Sequence, residues 1–258
     1  MQKRHTDRKR YFEEQARTSL NYYIPYIKQF TGSLPSKVLE VGCGEGGNLL
    51  PFARQGCEVV GVDMAASRIE QARAFFALDG RKGTFIASDI FRMKHLEGTF
   101  PLVLVHDVIE HIGCKDRFLS DLRNYLSDGG VMFVAFPAWQ MPFGGHQQTA
   151  RGRFVSHCPF IHLLPAGCYQ WLLRVSGESA DTISELLDIR RTRCTVEMFR
   201  KLARRNGYRI VGERLYFVNP HYEAKFGMRP RRLSRMIAAI PYVRNFFCTG
   251  CFYLLEKE

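Results

Sequence analysis

No stretch of the 258 residues approaches the roughly twenty consecutive apolar positions that a membrane-spanning helix requires. Behind the basic opening from Lys3 to Arg10 there is no hydrophobic core of a secretory signal, so a cytoplasmic chain with reduced thiols is expected. The eight cysteines lack the spacing of a disulfide framework or a zinc ribbon. Only Cys248 and Cys251 are close, with no second Cys or His pair nearby, and ordinary packing is expected of them. Internal repeats and low-complexity segments are missing as well. Acidic residues are scarce, 25 against 37 Lys and Arg, which leaves a formal charge of +12. The excess gathers at Lys3 to Arg10, Arg190 to Arg193, Arg200 to Arg205 and Arg229 to Arg235. Net charge bears on partners rather than on fold. Such clusters suit a nucleic acid, an anionic membrane surface or an acidic substrate, and a merely solvated basic face stands beside them.

Apolar material is ample, at 46% hydrophobic residues against 24% charged, enough to bury the core of one domain with insertions. From residue 37 onward, strand-like runs alternate with helical patterns in the manner of a parallel sheet. The runs are Val38 to Val41, Glu58 to Val62, Thr84 to Ala87, Leu102 to Val105 and Val131 to Phe136. Between them the spacing predicts helices over Asn48 to Gln55, Ser67 to Leu78 and Arg117 to Leu126, each followed by glycine. An opening helix is expected over Tyr11 to Phe30. After Phe136 the alternation breaks for some fifty-odd residues, an irregular insertion of the kind that is usually functional. Thr195 then caps a helix over Val196 to Arg205, and Arg209 to Val218 and Cys251 to Glu256 close the pattern as strands. The organisation is thus a single domain: an N-terminal helical segment over 1–35, a core over 36–136, an insertion over 137–194, and a closing part over 195–258. That closing part carries a basic insertion over 219–247.

The segment Val38-Leu39-Glu40-Val41-Gly42-Cys43-Gly44-Glu45-Gly46-Gly47 places a glycine turn directly after a buried strand and before a helix. Glycine lets the backbone turn tightly and lets a ligand approach without a Cβ in the way. Asp63 follows at the distance expected of an acid that holds a ribose. On these residues alone a nicotinamide enzyme and a methyltransferase both remain open.

Three neighbouring features make the region resemble the class I S-adenosylmethionine-dependent methyltransferases. Glu40 lies inside a strand, where a carboxylate is costly without a partner, and a cofactor bearing a sulfonium and an ammonium rewards it where a pyrophosphate would not. Ala87-Ser88-Asp89-Ile90 follows the third strand, and His106-Asp107-Val108-Ile109-Glu110-His111-Ile112 ends the fourth. The resemblance covers roughly residues 36 to 136. It implies an α/β Rossmann-like fold with a seven-stranded, mostly parallel sheet, helices on both faces, and a helical or irregular lid after strand five. It further implies that Gly42, Gly44 and Gly46 line the methionine portion of S-adenosylmethionine, Asp63 takes the ribose hydroxyls, Met64 packs on the adenine and Asp89 reads its edge. Ser88 and Ile90 offer backbone contacts, and Cys43 and His106 complete the implied cofactor set. Tight-turn glycines and helix-capping aspartates are the plain alternative for these positions.

Methyl transfer is an in-line displacement, so the protein must align an acceptor and, for a hydroxyl or amine, accept a proton. Histidine suits that task, and His111 and His146 are the candidates, with Glu110 beside them. Asp107-Val108-Ile109-Glu110-His111 is also similar to the Glu-x-x-Glu-His pattern of ubiquinone-pathway O-methyltransferases and of small-RNA 2′-O-methyltransferases. That likeness implies a divalent metal on Asp107, Glu110, His111 and His146. Asp in place of the first Glu shortens one arm, and a metal-free, structural Glu-His pair is the favoured alternative. Trp139, Phe143, Trp171 and Phe160 to Leu164 are candidates for an apolar acceptor wall or for a small core of their own. Arg231 to Ile240 fits either a membrane-surface helix or a cap on the sheet edge, the latter favoured. The expected function is methylation, on an oxygen before a nitrogen or carbon, of a small or lipid-like acceptor. An NAD(P)-dependent oxidoreductase, an RNA 2′-O-methyltransferase and a non-catalytic cofactor-binding protein are the rival classes.

Overall fold

The computed structural model describes residues 7–258, so Lys3 and Arg4 of the first basic cluster lie outside the described residues. Among the described residues eight strands form one mixed sheet: β1 (Lys37–Val41), β2 (Glu58–Asp63), β3 (Thr84–Ala87), β4 (Phe100–His106), β5 (Leu126–Phe136), β6 (Tyr208–Val218), β7 (Arg231–Arg232) and β8 (Gly250–Lys257). Their order is β3-β2-β1-β4-β5-β8-β6-β7. The first five pair in parallel, whereas β8 runs antiparallel to both β5 and β6, and β7 antiparallel to β6. The fold is Rossmann-like as expected, but the expected seven-stranded, mostly parallel sheet is corrected to an eight-stranded mixed one in which β6, β7 and β8 pair antiparallel. The extra strand is the two-residue β7, too short to show a period in the sequence, which exists because its backbone pairs with Tyr216 and Val218. It also corrects the idea of a helix over Arg231 to Ile240: that stretch covers the sheet edge, and only Arg235–Ala239 (α11) is helical.

Alternation along the inner strands sends side chains to two faces, each with its own core. Leu39, Val41, Val103, Val105, Val134 and Tyr253 pack on one side with α5 (Lys115–Leu122) and α9 (Val196–Arg205). Val38, Leu102, Leu104, Phe133 and Phe252 pack on the other with α4 (Ala66–Leu78) and the N-terminal helices. Thr195 caps α9 by accepting a hydrogen bond from the Met198 N–H at 3.1 Å, as its position in the sequence suggests.

The opening helix is longer than its apolar pattern and is not uniform. α1 (Arg8–Thr18) passes through a π turn over Ser19–Tyr23 into α2 (Ile24–Thr31). Pro25, near the start of α2, has no N–H to return to the preceding turn, and widening that turn relieves the clash. The expected helix at Asn48 is a 3₁₀ turn over Gly47–Leu49 leading into α3 (Leu50–Arg54), and the one expected at Arg117 begins at Lys115.

Residues 137–194 fold as α6 (Arg153–His157), α7 (Ala166–Val175) and α8 (Ala180–Thr192) around a third core, with Trp139, Val155, Ile161, Tyr169 and Leu186 inside it. Trp139 and Ile161 are therefore core residues of the insertion rather than a wall for an acceptor, and Trp171 is exposed. No helix among the described residues is long and apolar enough to cross a membrane.

Candidate functional site

The chain runs outward from β1 to β2 and β3, then returns to β4 on the other side of β1. That reversal opens a crevice at the carboxyl ends of β1 and β4, where open α/β sheets bind ligands. Gly42 leaves β1 at φ +72, and a Cβ on it would sit 2.4 Å from Val108 Cγ2. Glycine at 42 thus permits both the left-handed turn and direct contact between the loop after β1 and the segment after β4.

On the β1 side, Glu40 is buried, and Asn48 Nδ2 donates to its Oε1 at 2.7 Å while Oε2 has no hydrogen-bond partner among the described residues. Burial outweighs the Asn48 bond and pushes its carboxyl up to about 8. Ser19 in the π turn donates to the Asn48 carbonyl at 2.7 Å, so the N-terminal helix fixes the side chain that holds Glu40. Cys43 is buried, and its N–H and that of Gly42 both donate to the Val62 carbonyl, at 3.2 and 2.8 Å. Asp63 at the end of β2 accepts from the Gly44 N–H at 2.9 Å and from the Ala65 N–H at 2.8 Å. Met64 beside it is 81% exposed, an apolar side chain in water at the lip of the crevice. Asp89 caps a 3₁₀ turn by accepting from the Phe91 N–H at 3.1 Å. The Ser88 N–H donates to the Asp63 carbonyl at 3.0 Å, and Tyr125 donates its hydroxyl proton to the Ile90 carbonyl at 2.5 Å. These backbone groups already have partners within the chain. Gly46 also turns left-handed, with Phe85 and Phe76 packed where a Cβ would be.

Across the crevice, His106 ends β4 with its ring 5.4 Å from that of Tyr23, and its Nε2 lies 3.7 Å from Asp107 Oδ2. Glu110 is buried, neither carboxylate oxygen has a hydrogen-bond partner among the described residues, and burial with Asp107 nearby drives its pKa far above the carboxylate range. Thr192 and Lys115 tie the end of α8 to this segment: the Thr192 hydroxyl donates to the Glu110 carbonyl at 2.6 Å, and Lys115 Nζ donates to the Ile112 and Thr192 carbonyls.

His146 comes from the insertion. It lies in the left-handed region at φ 55, where its N–H donates to the Phe143 carbonyl at 3.1 Å. The approach depends on Gly144, because a Cβ there would stand 2.1 Å from the Trp139 carbonyl oxygen. His146 and His111 then meet edge to face at 5.1 Å between centroids, and His146 Nε2 lies 3.9 Å from Glu110 Oε1. Desolvation first, and then the neighbouring His111, lowers the His146 pKa to about 4. Desolvation by the surrounding protein also lowers the His111 pKa, although the residue as a whole is exposed.

Glu110, His111 and His146 offer three donor atoms all within 4.8 Å of one another. One carboxylate oxygen and two imidazoles fit a divalent transition-metal cation rather than magnesium, and the unpartnered Glu110 oxygens fit it too. Asp107, the fourth residue of the implied set, is not part of this group. Its short side chain, on a residue held at φ 51, faces His106 instead.

Asp107, His111, Phe143 and His146 share a cavity of about 360 Å³. Of the aromatic residues proposed as an acceptor wall, Phe143 alone lines it. Its other sides come from residues that the sequence did not assign to the site, including Arg8, Arg68, Glu185, Tyr222 and Lys225. They belong to four different helices, brought together by packing. The Arg8–Glu45 pair at 3.2 Å is one such closure, joining α1 to the buried acid of the glycine loop.

Residues 38–130 match a family profile described as a methyltransferase domain. Among curated relatives, the chain is 34% identical over 99 residues to a ubiquinone biosynthesis O-methyltransferase of Chelativorans sp., covering 38% of this chain and 39% of that one. A relative of the same description from Brucella ovis is 33% identical over 159 residues, covering 60% of each. The chain thus spans between about two-fifths and three-fifths of the length of these relatives. Among solved structures, a plantazolicin methyltransferase superposes with a TM-score of 0.60 at 14% identity, over 98% of this chain and 88% of that one. A magnesium protoporphyrin IX methyltransferase from Synechocystis superposes with a TM-score of 0.55 at 16% identity, over 95% and 84%. Residues 38–130 thus resemble a methyltransferase domain in sequence, and the chain as a whole shares its fold with solved methyltransferases.

Proposed function

We propose that the protein transfers a methyl group from S-adenosylmethionine to an oxygen of a small or amphiphilic acceptor. The observation that carries the proposal is the contact of Gly42 with Val108, which sets the glycine loop against the segment bearing His111 and next to His146. The oxygen acceptor is supported by the curated relatives, whose names describe O-methyl transfer. Glu40 supports the cofactor, since a buried carboxylate oxygen without a partner rewards an ammonium and would repel a pyrophosphate. In this reading Gly42, Cys43, Gly44 and Gly46 shape the methionine end, Asp63 receives the ribose hydroxyls, and Met64, Ser88, Asp89 and Ile90 frame the adenine. His106 closes the floor between Tyr23 and Asp107. The cofactor supplies an activated methyl group, and the chain supplies alignment and a place for the proton. His146, neutral because burial lowers its pKa, accepts the acceptor hydroxyl's proton as the new bond from oxygen to methyl forms and the bond from methyl to sulfur breaks. Glu110 and His111 would hold a divalent ion with His146 if one takes part, orienting the same hydroxyl; the base role of His146 does not require it. Calorimetric titration tests the class. Adenosylmethionine and its demethylated product should bind and NAD should not, and the reverse result would overturn the proposal.

A further inference from the structure

The short helix α12 (Arg244–Phe247) is inside out. Its polar residues Arg244 and Asn245 are buried. Arg244 pairs with Glu197 at 2.9 Å and donates to the Ala238 carbonyl at 2.7 Å. Asn245 donates to Glu197 at 2.7 Å and accepts from the Val196 N–H at 2.9 Å. With its polar side committed inward, the segment turns Tyr242, Val243, Phe246 and Phe247 to solvent, at 67%, 43%, 39% and 41% exposure. Tyr242 is held at φ 63, a strained conformation for an aromatic residue, with its N–H donating to Glu197 at 2.8 Å. Burying an arginine while exposing four large apolar side chains is the opposite of what water favours.

The apolar surface continues toward the cavity. The Phe160 ring, partly exposed, lies 6.4 Å from that of Phe246, and the Phe160 N–H donates to the carbonyl of Pro142, the neighbour of cavity-lining Phe143. Exposed Phe226 lies 5.5 Å from Tyr222, which also lines the cavity. Met228, Met236 and Ile240 add further exposed apolar side chains from the same part of the chain. Between 217 and 247 there are six Lys and Arg and one acid, Glu223. Arg229, Arg231, Arg232 and Arg235 are exposed and form no ion pair among the described residues.

We propose that this face docks on an anionic lipid bilayer. Tyr242, Val243, Phe246 and Phe247 enter the interface, and Arg229, Arg231, Arg232 and Arg235 meet lipid phosphates. Aromatic side chains suit the depth of the headgroups, and arginine forks match phosphate oxygens. A nucleic acid would engage the arginines and leave the exposed phenylalanines without a role. Docking presents the mouth of the cavity to the bilayer, so that an amphiphilic methyl acceptor enters from the lipid; this last step rests on the function proposed above, and the docking does not.

The test is sedimentation of the full chain with vesicles of phosphatidylcholine alone or mixed with phosphatidylglycerol. Binding should require the anionic lipid and weaken with salt. Phe246→Ser with Phe247→Ser should release the protein, and Glu substitutions at Arg229, Arg231, Arg232 and Arg235 should weaken binding at least about tenfold. Circular dichroism and adenosylhomocysteine titration of each variant report the fold and the cofactor site independently. Their failure with vesicle binding intact would count against the methyltransfer reading alone. Equal sedimentation of wild type and the phenylalanine variant overturns the docking proposal, as does no binding to anionic vesicles. A dimer in solution that the phenylalanine substitutions dissociate, or RNA binding that competes with vesicles and ignores those substitutions, overturns it too.

Discussion

At the scale of single residues, Glu40 and Glu110 are buried carboxylates that each have an oxygen without a hydrogen-bond partner among the described residues. Glu40 has its pKa raised to about 8 by burial, so the fold prefers it protonated until a cation arrives. The stability attached to that raised value is present below the usual carboxylate range near 4.5 and is lost as the pH rises toward about 8. Glu40→Gln should therefore raise the melting temperature of the cofactor-free protein above pH 8 relative to wild type, and leave it little changed near about pH 5. The same variant should bind adenosylmethionine roughly tenfold more weakly, through loss of a charge-assisted hydrogen bond. Undiminished affinity in a titration would remove Glu40 from the cofactor site. His146 gives a second pH signature. A base must be unprotonated to act, and burial lowers its pKa to about 4, so the acid limb of kcat/KM should lie well below the ordinary histidine value near about 6.5. His146→Ala should cost roughly 10²–10⁴ in transfer rate from labelled cofactor, with unchanged cofactor affinity and partial rescue at high pH. Loss of wild-type turnover on chelation would instead assign Glu110, His111 and His146 to a metal.

At the scale of elements, the site depends on how closely two loops meet. Gly42 and Val108 touch where any larger residue would separate the glycine loop from the segment after β4. Gly42→Ala must both adopt a left-handed φ and displace Val108, so a loss of about 1–3 kcal/mol in unfolding free energy is expected, together with weaker adenosylhomocysteine binding. Unchanged denaturation and unchanged binding would show that this contact does not set the crevice. The strand-turn-helix character of this segment was legible in the sequence, because an apolar run, three spaced glycines and Asp63 encode it locally. The place of His146 was less so. Its sequence neighbours give no sign that Gly144 passes against the Trp139 carbonyl, the approach that brings an insertion residue to within 3.9 Å of Glu110.

At the scale of the whole molecule, cofactor binding and stability are one quantity. A ligand that binds only the native state raises stability by mass action, about 2.7 kcal/mol at one hundred times its dissociation constant. Adenosylmethionine should accordingly raise the melting temperature in proportion to the logarithm of its concentration, whereas NAD should leave it unmoved. A shift with NAD alone would place the chain among the oxidoreductases. The cavity is also a product of the whole fold. Arg8 and Tyr222 lie far apart in sequence, and they line one space only because α1 packs on the glycine loop and α10 (His221–Phe226) packs on α1. Tyr22 in the π turn donates to Glu223 at 2.5 Å across that junction.

The sequence by itself determined the five parallel strands, the glycine turn with Glu40 and Asp63, and the Glu110-His111 pair, because each is written in a short window whose period or spacing has one physical solution. Tertiary structure alone decided the eighth strand, since two arginines become a strand only when β6 offers them a ladder. It decided that Trp139 belongs to a core, since that depends on which distant groups crowd the side chain. It also decided that Arg244 points inward and Phe246 outward, an inversion of hydropathy that follows from Glu197, 47 residues earlier, holding the arginine and the adjacent asparagine. No local pattern can report a choice made by so distant a partner.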